Sequence, residues 1–98
     1  MDCLEYLRQR LAPREVVLDG VTWYFRPLNA TNWIELQVLL AGCDQTRPET
    51  VAVFWRELLA RTLCDAQGQP LPRDLVEAVP YDVAQKLVDA VWPGTSKN

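Results

Sequence analysis

The sequence contains no histidine. That removes the commonest general base and the commonest neutral metal ligand at once. Cysteine is sparse: Cys3, Cys43 and Cys64 are odd in number, far apart and never in a C-x-x-C pair. Without histidine they cannot assemble a usual four-ligand zinc site, and none has an identifiable base beside it to form a thiolate. Free thiols of this kind fit a reducing cytoplasm, with Cys43 and Cys64 read as small, partly buried hydrophobes. The glycines Gly20, Gly42, Gly68 and Gly94 each stand alone at a turn, so no phosphate-cradling loop exists. No apolar run approaches membrane-spanning length, and the acidic start at Asp2 and Glu5 is unlike a signal peptide. Basic runs are missing too. The Lys and Arg residues are scattered, and the net charge is −3. Nucleic acid and anionic membrane surfaces are therefore not expected partners. No internal repeat or low-complexity tract is present.

What remains is a chain of 98 residues with 49% hydrophobic content, suited to one globular domain with a modest core. The patterning divides residues 1–98 into a leading helix (1–13) free to move in solution, a hairpin (14–26), a helical part (30–92) and a frayed tail (93–98). The expected fold class is α+β and mainly helical, one N-terminal β-hairpin packed against four to five helices.

The leading helix runs from Asp2 to Leu11. Asp2 and Glu5 have capping-box spacing, and Leu4, Leu7 and Leu11 line one side. A helix this short needs a surface to dock on. In the hairpin, Asp19-Gly20 suits a two-residue type I′ turn. That turn pairs Leu18 with Val21, Val16 with Trp23 and Arg14 with Phe25. All but Arg14 of these are apolar and define a core face, which helices must cover.

Asn29 caps a helix from Ala30 to Ala41, with Gly42 as its stop. Trp33, Leu36 and Leu40 share one side, Ile34, Val38 and Ala41 the adjacent one, and Gln37 lies between. So wide an apolar surface is either sandwiched between two elements or used by a partner. The central helix is read from Thr46 to Cys64, with Thr46 and Glu49 as a capping box and Pro48 in the first turn. Val51, Phe54, Trp55, Leu58, Leu59 and Thr62 form its apolar face, and Glu57 and Arg61 pair on the other side. A turn-rich loop, Asp65 to Leu71, places Gly68 at positive φ. Pro72 opens a short helix to Val79, and Pro80 breaks it. The last helix, Tyr81 to Trp92, turns Val83, Ala84, Leu87, Val88, Val91 and Trp92 one way and spaces Asp82 to pair with Lys86. Pro93-Gly94 is its expected terminator.

The carboxylates are spread singly over solvent faces, so no catalytic constellation emerges and no cofactor or metal is implied. The unusual feature is tryptophan: Trp23, Trp33, Trp55 and Trp92. Each is either core filler or an anchor in an exposed groove.

Three stretches resemble the tail assembly chaperones of long-tailed bacteriophages and prophages. One is the hairpin feeding into Phe25-Arg-Pro-Leu28 and a helix. Another is the helix Val51 to Cys64 running into Asp65-Ala-Gln-Gly-Gln-Pro-Leu71. The third is the short helix and amphipathic helix of Leu75 to Trp92. The leading helix has no counterpart in the family's pattern. The resemblance implies a non-enzymatic cytoplasmic protein of the host cell, absent from the finished virion. Its partners would be the long, aggregation-prone tape measure protein and the tail tube protein. The competing expectation within the same class is a head–tail connector or tail completion subunit. A small enzyme or ligand-binding domain, resting on the thiols and tryptophans alone, is the third. Helical faces, rather than the family, place the candidate partner groove at Trp33, Leu36, Gln37, Leu40, Val51, Trp55 and Leu59. Phe54 and Leu58 fall in the core, and the Trp55 edge continues toward Trp33. Such a patch left uncovered implies self-association or a bound partner.

Overall fold

A computed structural model describes residues 1–44 and 46–92. The elements run α1 (Cys3–Leu11), β1 (Arg14–Leu18), β2 (Val21–Phe25), α2 (Ala30–Ala41), α3 (Pro48–Thr62), β3 (Leu63–Cys64), α4 (Arg73–Glu77) and α5 (Tyr81–Val91). The fold is α+β and mainly helical, with an antiparallel sheet of order β1-β2-β3. The terminator at Pro93-Gly94 and the tail 93–98 lie outside the described residues.

The hairpin has the expected register, from Leu18 opposite Val21 to Arg14 opposite Phe25. Asp19 (φ 53°) and Gly20 (φ 79°) both occupy the left-handed region, as a type I′ turn requires. The third strand is a correction to the sequence reading, which carried the central helix through to Cys64. The helix stops at Thr62, whose carbonyl accepts the Arg26 N–H at 2.7 Å. Leu63 and Cys64 then extend beside Phe25 and Tyr24. A bridge from Cys64 to Pro70 closes the following loop, in which Asp65 Oδ1 accepts from the N–H groups of Gln67 and Gln69. Gly68 is at φ 87°, and a Cβ there would lie 3.3 Å from Pro13 Cγ, so this loop also seats the chain entering β1.

The start of α3 is a second correction. Thr46 does not cap it. Its hydroxyl and N–H both donate to Asp44 Oδ1, at 2.7 and 2.9 Å. Those bonds, the hydroxyl first, hold the Asp44 carboxyl below its ordinary range. Arg47 is the N-cap and lends no side-chain bond, while Glu49 pairs with Arg47 Nε at 3.0 Å. Thr50 ties the turn down instead, accepting the Asp44 N–H at 2.9 Å, with its hydroxyl 2.8 Å from the carbonyls of Asp44 and Arg47. Pro48 at the first position loses no helical bond.

Helix α3 is the centre of the molecule and packs against α2, α4 and α5. Phe54, Leu58 and Leu59 from α3 join Phe25, Leu36, Leu63, Val76, Leu87, Val88 and Trp92 in one core. Thr62 is buried with them, its hydroxyl satisfied by the Leu58 carbonyl at 2.8 Å. Asn29 accepts from the Asn32 N–H and caps α2. The Asp2–Glu5 capping box is formed at α1, yet no residue of α1 is buried and Leu4, Leu7 and Leu11 are exposed. The docking surface expected for this helix is not supplied by the described chain. Lys86 is a further correction: it pairs with Asp19 in the hairpin turn rather than Asp82, which lashes α5 across the sheet.

The Glu57–Arg61 pair forms at 2.7 Å and extends into a network, with Arg61 to Glu35 at 3.1 Å and Glu57 to Arg73 at 2.6 Å. It staples α2, α3 and α4 outside the core. Partial burial pushes the Glu57 carboxyl up, but the hydrogen bonds and charges of Arg73 and Arg61 together outweigh this and hold it below its ordinary value. A lowered folded-state pKa contributes stability above the unfolded value, and that stability is lost as pH falls through the folded one. Glu57→Gln should therefore cost about 1 kcal/mol at neutral pH. Its deficit should fade as pH drops below about 4.5, the ordinary carboxyl value. Urea denaturation of both proteins at pH 7 and pH 3 checks this; an equal deficit at both would remove the ion network as its cause.

Candidate functional site

Three of the four tryptophans sit in two separate stacks, while Trp23 packs half-buried against the core. Trp33, in the first turn of α2, stacks on Trp92 with ring centroids 4.8 Å apart and planes at 20°. Phe54 meets Trp92 edge-on at 5.1 Å. Trp55 faces away and stacks on Tyr81 at the start of α5, at 5.5 Å and 21°.

Each stack borders its own cleft. The first, about 260 Å³, lies between the open end of the hairpin, the start of α2 and the end of α5. Arg14, Val16, Arg26, Leu28, Trp33 and Val91 are among its walls. The second, about 400 Å³, lies among α3, α4 and α5, where Trp55, Leu59, Val76 and Tyr81 meet Arg56 and Glu77.

This divides the groove expected from helical faces. Leu36 (0% exposed) and Leu59 (2%) are core residues rather than a partner surface. Leu40 and Trp55 pack against that core half-buried, Val51 is half-buried, and Gln37 is exposed. Trp33 is 37% exposed. Trp33 and Trp55 line different clefts, so the shared groove is corrected to two sites. The reason is rotational. Periodicity says which residues share a helical face but not how α2 is turned against α3. Leu36 points into α3's neighbourhood, which leaves Ile34 and Val38 exposed at 61% and 67%.

Sequence reasoning also missed Arg14 and Arg26 as site residues. A signal for Arg14 was present: it is the one charge on the hairpin's otherwise apolar face. Tyr81 carried no signal beyond its aromatic ring.

Among the described residues, no group of three His, Cys, Asp or Glu side chains is arranged to hold a metal ion. Cys64 is buried, and burial pushes its thiol up, with Arg26 pulling the other way and Asp65 reinforcing the rise. A thiol held protonated is a poor nucleophile. Among the described residues, no helix is long and apolar enough to cross a membrane. The arrangement offers apolar and cationic binding walls.

No protein-family model, curated protein or solved structure matches the chain.

Proposed function

We propose that this chain is a non-enzymatic tail assembly chaperone of a long-tailed phage or prophage. In this reading it acts in the host cytoplasm, binds the tape measure protein, keeps it soluble and helps bring the tail tube protein to it. The observation that supports the reading is the pair of apolar helical faces that the described residues leave exposed: Leu4, Leu7 and Leu11 on α1, and Ile34 and Val38 on α2. A long helical client presents apolar stripes, and an apolar helix face is a natural surface for one. Many copies along one client make weak single contacts strong together. The same faces favour self-association when no client is present.

Co-expression with a tape measure protein tests the reading. The expected result is a soluble, co-purifying complex. The double variant Ile34→Glu/Val38→Glu should keep its fold by circular dichroism while recovering less than a fifth of the client. An unchanged client yield with and without the chaperone would reject the proposal. Mass spectrometry of purified virions separates the chaperone, expected to be absent, from a head–tail connector or tail completion subunit, expected to be present.

A further inference from the structure

Among the described cations of this acidic chain, Arg47, Arg61, Arg73 and Lys86 each hold a carboxylate, whereas Arg8, Arg10, Arg14, Arg26 and Arg56 do not. Of these five, Arg14 and Arg26 are the two that share the first cleft. Arg26 Nε is buried and has no hydrogen-bond acceptor among the described residues. Its Nη2 reaches the Arg61 carbonyl only at 3.4 Å. A guanidinium carries five donors in a planar fork suited to a carboxylate, so one left short of acceptors in a cleft is a vacant half of an ion pair. The C-terminal end of α5, with Ala90 and Val91, borders the same cleft. Its dipole favours cations there without neutralising them.

We propose that this cleft binds an acidic segment of a partner protein. Arg14 and Arg26 hold a carboxylate of the segment, and Val16, Leu28 and the exposed edge of Trp33 receive an adjacent apolar side chain. Charge complementarity sets the first half of this recognition. The second half follows from the wall, which is apolar and aromatic apart from the arginines and Thr62, whose hydroxyl is already engaged by the Leu58 carbonyl. A polypeptide is favoured over a small anion because β1, which brings Arg14 and Val16 to the cleft, is an edge of the sheet, so an extended chain can lie alongside. The cleft is also smaller than most sites that enclose a whole cofactor.

The inference rests on the reading of the chain as a binding protein, but its test uses no tape measure protein. Failure of the client experiment and failure of the cleft are therefore distinguishable. The probe is a fluorescein-labelled, end-blocked hexapeptide of alternating Leu and Glu, followed by fluorescence anisotropy, beside its Leu and Gln counterpart. The acidic peptide should bind at least tenfold tighter. Arg14→Gln should weaken it at least threefold and Arg14→Gln/Arg26→Gln at least tenfold, whereas Arg8→Gln on α1 should change it less than twofold. Because Arg14 is exposed, the single variant keeps the test decisive if the double variant folds poorly. Equal binding of the two peptides, no binding up to about 1 mM, or an equal loss in Arg8→Gln would overturn the proposal. Displacement of the peptide by inorganic phosphate at the same concentration, or by an oligothymidylate, would assign the cleft to a phosphate ligand and overturn it equally.

Discussion

Trp92→Ala is expected to destabilise the protein by about 3–5 kcal/mol, the range for truncating a buried aromatic. Trp92 is 4% exposed and sits where three helices meet, capping α5, stacked on Trp33 of α2 and edge-on to Phe54 of α3. Removing it opens a cavity at the base of the first cleft and abolishes two aromatic contacts of about 0.5–1.5 kcal/mol each. Domains of this size have only about 5–15 kcal/mol in total. The midpoint of thermal unfolding should fall by at least about 12 °C, since each kcal/mol shifts a small domain by about 4–8 °C. Trp33→Ala supplies the contrast. It loses the same stack from the solvent side, so its cost should be less than half as large. Differential scanning calorimetry of the two variants measures both. Equal losses would mean that Trp92 is held by the stack alone and not by the core beneath it.

The local chemistry of the sequence carried much of the fold. Asp19-Gly20 allowed the hairpin to be read pair by pair, because a two-residue type I′ turn leaves only one register. Asp2, Asn29, Gly42 and Pro80 marked helix ends through capping bonds and the missing proline N–H, which act within a few residues. What stayed hidden depends on contacts made across the chain. Leu63 and Cys64 continue the apolar pattern of α3, and only the free edge of β2 makes them a strand. Thr46 has the right spacing for a cap, but the Asp44 carboxylate two residues earlier takes both its donors. Lys86 is spaced for Asp82, yet the hairpin turn brings Asp19 to it. The candidate site fared similarly. Trp33 could be singled out from its residue type. Its place beside Arg14, Arg26 and Val91 joins the two ends of the chain and leaves no mark on helical periodicity.

The orientation of α2 is the point on which core and surface were exchanged, and a contrast along one turn of that helix tests it. Leu36 is fully buried and Val38, two residues on, is 67% exposed. Leu36→Ala should cost about 2–5 kcal/mol, the lost transfer free energy of the side chain plus the cavity left among Phe54, Leu58 and their neighbours. Val38→Ala should stay within about 0.5 kcal/mol of the parent, as an exposed substitution does. It is aided slightly by the better helix propensity of alanine. Client and self-association assays should rank the two positions the other way, with Val38→Glu weakening association while Val38→Ala leaves stability intact. Chemical denaturation resolves the stability half of this contrast without any partner. If Leu36→Ala were as stable as the parent and Val38→Ala were not, α2 would have to be rotated about its axis. At about 100° per residue, a turn of roughly 160° would bring Val38 to where Leu36 stands. The exposed stripe supporting the proposed function would then lie in the core, and the partner surface would have to be sought on α1 alone.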